Sequence, residues 1–77
     1  MERQLRDIEY FSVVAEHGNL GRAAEALGLS QPALSKSLRR LETAMQAKLV
    51  RRTSKGVDLT VAGEMLFEQV QIGRAHV

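Results

Sequence analysis

From Leu5 to His17 the apolar residues Leu5, Ile8, Phe11 and Ala15 recur every three or four positions, and Val14 widens the stripe. That period predicts an amphipathic helix. Gly18 offers a left-handed stop, and Asn19 a cap for a second, shorter helix over Leu20 to Leu27. Ala23, Ala24 and Leu27 give this second helix a small-residue face suited to close packing, and Gly28 ends it.

Ser30 is placed to cap a third helix, over residues 30–45, with Gln31 and Pro32 in its first turn. There the missing proline N–H costs little and its fixed φ helps, so Pro32 starts the helix and does not break it. Leu34, Leu38, Leu41 and Met45 follow at i, i+4, i+7 and i+11, one stripe expected to be buried. Pro32, Lys36, Arg39, Arg40 and Thr43 fall on the opposite side, with Gln31 and Ser35 flanking.

After Met45 the period changes. KLVRRTSKGVDLT holds two β-prone runs, Leu49 to Arg52 and Val57 to Thr60, joined by Thr53-Ser54-Lys55-Gly56. They predict a hairpin over 49–59 with Gly56 at positive φ. Thr60 suits the cap of a fourth helix with Ala62, Met65, Leu66, Gln69 and Val70 along its apolar side. Gly63 replaces the acid or amide of a full capping box. The Met65, Leu66 and Val70 side reads equally as a flap over the first helix and as a seam with a second copy. The expected class is mainly α: a three-helix core, a short β-hairpin and a C-terminal helix.

Charge adds a direction to this framework. The chain of 77 residues carries a net charge of only +2. Between residues 36 and 55, however, Lys36, Arg39, Arg40, Lys48, Arg51, Arg52 and Lys55 stand against Glu42 alone, leaving +6 there and −4 elsewhere. Such polarity is the footprint of a surface that meets a polyanion.

The short second helix, the LGLS turn and the longer third helix have the proportions of a helix-turn-helix. A major groove accepts one helix. The short side chains of Ser30, Pro32, Ala33 and Ser35 would let the backbone approach the bases. Gln31 suits an adenine edge, Pro32 and Ala33 a thymine methyl, and Lys36 and Arg39 a guanine or a phosphate. Arg51, Arg52 and Lys55 beside Gly56 would form a cationic tip on the neighbouring backbone. Duplex DNA is the expected partner.

From about Leu5 to Val70 the chain resembles the N-terminal winged helix-turn-helix of LysR-type bacterial transcriptional regulators. The resemblance rests on AAEAL, LSQPALS, RRLE, an arginine wing and an LT-x-AG motif at matching separations. It implies sequence-specific promoter binding by a homodimer, with the fourth helix pairing against its partner through Met65, Leu66, Gln69 and Val70. It also implies base reading by Gln31, Pro32, Ala33, Ser35 and Lys36 and a wing arginine at Arg52, beside which Ser30, Arg39, Arg40, Arg51 and Lys55 are expected as further backbone contacts. A small-molecule effector would bind only in a separate C-terminal domain.

The chain departs from the family at Gly21, where Ser or Thr is common, at Gln46, where glycine is usual, and at Val50, where Phe is usual. Residues 1–60 are expected to form the DNA-binding domain and 61–71 the start of the linker and dimerisation helix. IGRAHV, residues 72–77, breaks the stripe at Gly73 and matches one frame of a common sequencing-adapter read. It is expected to be a non-native tail.

Other classes find little support. Two isolated histidines and no cysteine make neither a metal constellation nor a nucleophile pair, so no catalytic residue, metal ligand or cofactor is expected. No apolar run approaches the ~20 residues of a membrane span, and the charged N-terminus lacks a secretory signal. A cytoplasmic, nucleoid-associated regulator is the expectation. The alternative is a small helical interaction or dimerisation module with no specific DNA target.

Overall fold

The computed structural model describes residues 2–75, in the order α1 (Glu2–His17), α2 (Leu20–Leu27), α3 (Gln31–Met45), β1 (Val50–Thr53), β2 (Gly56–Leu59) and α4 (Val61–Ala75). The helix ends fall at the local signals. Asn19 Oδ1 accepts the Arg22 N–H at 2.9 Å, Ser30 Oγ the Ala33 N–H at 3.2 Å, and Thr60 Oγ1 the Gly63 N–H at 3.1 Å. Gly18 and Gly28 are left-handed, at φ 64° and 70°. Gln46 is also left-handed, at φ 54°, so α3 closes with the conformation a glycine would favour but with a side chain in place.

Phe11 and Val14 of α1, Leu20, Ala23 and Ala24 of α2, Leu34, Leu38 and Leu41 of α3, and Leu49 form one buried cluster. Ala23 and Ala24 are the small face the sequence offers, and with them α2 approaches its neighbours closely. Two expected core residues lie outside: Leu5 is 63% exposed and Met45 45% exposed. Each sits in a terminal turn. Periodicity carries a stripe to the end of its helix, whereas burial requires a neighbour there.

A carboxylate locks α1 to α3. Buried Asp7 accepts from Ser37 Oγ at 2.6 Å and from Arg40 Nε and Nη2 at 3.1 and 2.9 Å. A buried charge is tolerable when it is paired and hydrogen-bonded in this way. Ser12 Oγ, buried in α1, has no hydrogen-bond partner among the described residues.

β1 and β2 pair antiparallel, Val50 with Leu59, Arg51 with Asp58, Arg52 with Val57 and Thr53 with Gly56. The ladder starts one residue later than the sequence suggests, because Leu49 is wholly buried in the core. The Val57 N–H donates to the Gly18 carbonyl at 2.9 Å, which ties the hairpin to the α1–α2 turn. Gly56, at φ 138°, lies so close to Gly18 that a Cβ would overlap its carbonyl oxygen.

In α4, Ala62, Leu66 and Phe67 pack against the core, while Val61, Met65 and Ile72 are exposed. The apolar side expected for this helix is therefore divided. Leu66 and Val70 are half-buried; Met65 and Gln69 are exposed. The helix runs through Gly73 to Ala75, so that glycine does not end it. His76 and Val77 lie outside the described residues.

Candidate nucleic-acid interface

Residues Gln31, Pro32 and Ala33 are exposed at the N-terminal turn of α3, and Lys36 and Arg39 on the turns that follow. Burying Leu34, Leu38 and Leu41 against α1 and α2 is what leaves this side to solvent. Ser30 is exposed beside them, its hydroxyl oxygen already engaged as the helix cap.

The hairpin stands next to this side. An open groove of about 950 Å³ separates α3 from β1 and is bordered by Gln31, Ser35, Arg39, Lys48, Arg51 and Arg52. Across it, Arg52 Nη2 donates to Ser35 Oγ at 2.8 Å. A smaller recess of about 300 Å³ joins Gln31 and Arg52 to Asn19, Gly21, Thr53 and Gly56. Gly21 leaves room there for the Gln31 amide, which passes 3.3 Å from where a Cβ would stand. Lys55 is exposed at the hairpin tip, where its backbone N–H donates to Thr53 Oγ1 at 3.2 Å.

Five cations among the described residues thus line or flank one face: Arg39, Lys48, Arg51, Arg52 and, along α3, Lys36. Arg40 does not join them. It lies on the α1 flank of α3, and its guanidinium is held by Asp7. That hydrogen bond, with the carboxylate charge adding and desolvation opposing, raises the Arg40 pKa above the already high arginine value. One residue of helical rotation turns Arg39 to the groove and Arg40 to α1, so a backbone contact from Arg40 would have to come from the donors that Asp7 leaves unused.

Several residues that position this surface carry no obvious signal. Glu42 Oε2 accepts the Leu49 N–H at 2.7 Å and the Val50 N–H at 3.4 Å, while Oε1 lies 3.9 Å from Lys48 Nζ. The hairpin root is thereby fixed to the last turn of α3. The one clue was that Glu42 is the sole acid in a segment of seven cations. Asp7 and Ser37 were similarly inconspicuous, although each falls on the apolar side of its helix. Gly63 lies against the Leu49 carbonyl so closely that a Cβ would overlap it. Thr60 adds a hydrogen bond from its Oγ1 to the Lys48 carbonyl at 2.5 Å.

Among the described residues, no group of three His, Cys, Asp or Glu could hold a metal ion, and no helix is long and apolar enough to cross a membrane.

The model of a family described as "bacterial regulatory helix-turn-helix protein, lysR family" matches residues 5–64. The HTH-type transcriptional regulator BudR of Klebsiella aerogenes is 48% identical over 65 residues, 84% of this chain and 46% of that protein. The uncharacterized HTH-type transcriptional regulator YdcI of Escherichia coli strain K12 is 52% identical over 64 residues, 83% of this chain and 21% of YdcI. Among solved structures, a CbnR_DBD–DNA complex superposes with a TM-score of 0.81 at 34% identity, over 92% of this chain and 87% of that one. A BenM_DBD complex with catB site 1 DNA gives 0.85 at 29% identity, over 94% and 81%. The chain spans less than half the length of BudR and about a fifth of YdcI.

Proposed function

Because the chain belongs to the LysR family of bacterial regulatory helix-turn-helix proteins, we propose that it binds double-stranded DNA sequence-specifically and regulates transcription. The observation that carries this reading is a shared surface. The polar N-terminal side of α3 and the arginines of β1 flank one open groove. α3 enters the major groove, where Gln31, Pro32, Ala33 and Lys36 meet base edges. Ser30, Arg39, Arg51, Arg52 and Lys55 contact the phosphate backbone. Ser35 lies on the boundary between the two sets.

The assembly is a homodimer through α4. Exposed Val61 and Met65 fall within about 40° of one another around that helix. Gln69 flanks them, whereas Leu66 packs against its own core and Val70 is half-buried. The protein acts in the cytoplasm on the nucleoid, and a small-molecule effector acts through a domain outside this one.

Selection of bound duplexes from a random pool tests the reading directly. The expected result is an enriched motif whose affinity falls with rising salt, with a log–log slope of about −0.9 per phosphate neutralised. A helical interaction module, the reading that the outward stripe of α4 would otherwise favour, enriches no motif. Absence of enrichment together with absence of salt-sensitive binding overturns the DNA assignment.

A further inference from the structure

We infer that Ser35 is a positioning residue for Arg52: it holds the wing guanidinium toward DNA and reads no base itself. The inference rests on the DNA-binding reading above and deepens it. Its ground is the 2.8 Å hydrogen bond from Arg52 Nη2 to Ser35 Oγ, which spans the groove between β1 and α3.

The geometry divides the work of the two side chains. Ser35 is half-buried on the wing-facing flank of α3, so its short hydroxyl has a defined place. Arg52 is exposed on a two-stranded hairpin, where a long side chain otherwise samples many rotamers. Ordering such a side chain costs it much of its rotamer freedom. A fixed acceptor removes part of that cost before DNA arrives. A guanidinium has five N–H donors, and Ser35 takes one of them. The remaining donors suffice for a bidentate grip on a phosphate.

Two further contacts make Ser35 a dependable anchor. Glu42 holds the root of β1 at Leu49 and Val50, and Gly18 holds β2 at Val57, the cross-strand partner of Arg52. The wing and α3 therefore keep a constant separation, and a hydrogen bond of fixed length can span it. Ser35 transmits the position of the helix to the wing arginine.

This assignment differs in a measurable way from base reading. A base contact would be lost on the preferred site alone, whereas a displaced phosphate grip weakens every duplex alike. A four-variant cycle on the full chain separates them: wild type, Ser35→Ala, Arg52→Ala and the double substitution, each titrated against a selected duplex and a scrambled one. Ser35→Ala is expected to weaken binding about three- to tenfold on both duplexes, because part of the cost of ordering Arg52 returns to the binding step. In the Arg52→Ala background the same substitution should change affinity less than about twofold, and Ser35→Thr should restore most of the wild-type affinity. An equal loss in both backgrounds, or a loss confined to the selected duplex, overturns the inference and leaves the DNA-binding reading intact. Failure of the wild type to bind either duplex overturns both.

Discussion

Glu42 Oε2 accepts the backbone N–H of Leu49 at 2.7 Å, so one side chain in the last turn of α3 sets where the hairpin begins. Leu49 is itself wholly buried, and its carbonyl accepts the Thr60 N–H at 3.1 Å, which places the start of α4. Removing the carboxylate disturbs three elements at once. Glu42→Ala is expected to lower stability by about 1–3 kcal/mol, the range for depriving buried donors of their acceptor. Faster hydrogen exchange at the Leu49 and Val50 amides should accompany the lower melting temperature. Unchanged exchange at both amides would count against the clamp.

Asp7 performs the corresponding service between α1 and α3. Asp7→Ala strands the buried Ser37 hydroxyl and frees Arg40, with an expected loss of about 1–3 kcal/mol in denaturant titration. Arg40 also has a pH signature of known sign. Its pKa is raised in the folded state, so its contribution is fully present below the unfolded value and is lost only as pH rises through the folded one. The stability difference between wild type and Arg40→Ala should therefore stay level from neutral to moderately alkaline pH. A difference that shrinks across that range would contradict the assignment.

Gln46 occupies a left-handed position with φ 54° and ψ 40°. Its N–H and that of Ala47 satisfy the Thr43 and Glu42 carbonyls, at 3.2 and 3.1 Å, so the turn itself is well made. Only the side chain is unfavourable there. Gln46→Gly is expected to stabilise the fold by about 1 kcal/mol, read as a higher melting midpoint. A lower midpoint would show that the glutamine side chain contributes more than its conformation costs.

Glycines in α4 should respond in opposite directions to the same change. Gly63→Ala places a Cβ on the Leu49 carbonyl oxygen and should destabilise by about 1–3 kcal/mol, despite the better helix propensity of alanine. Gly73→Ala meets nothing within 4 Å and should stabilise by up to about 1 kcal/mol. Helix content by circular dichroism and thermal melts would read both.

On DNA, Gln31→Ala should relax base preference by about 1–3 kcal/mol of discrimination while leaving affinity for random duplex nearly unchanged. Lys36→Ala should weaken binding. Arg52→Ala should weaken all sequences alike, with the salt slope shallower by about 0.9. Equal losses on selected and random duplexes for Gln31→Ala would remove its base-reading role.

Helix starts, the glycine stops after α1 and α2 and the hairpin turn were legible in the linear chain because each depends on a few adjacent residues, whereas Gly73 did not stop α4. A hydroxyl three positions before its N–H, a glycine free to adopt positive φ, or leucines at helical spacing act within one or two turns. The exposed side of α3 was legible for the same reason, as the complement of its leucine stripe. Burial at the ends of those stripes was not, and Leu5 and Met45 lie in solvent because no neighbour covers them.

The residues joining one element to another came into view only with the fold. Asp7 meets Ser37 and Arg40 across 30 and 33 positions, and Arg52 meets Ser35 across 17. Such pairings have no local period, since they depend on how the helices cross and how far the hairpin stands from α3. Arg39 and Arg40 are equivalent cations in the chain, and α1 packing on one flank of α3 separates their roles. The order of the elements follows from short-range chemistry. Which cations share a surface follows from packing, because packing alone decides what each side chain faces.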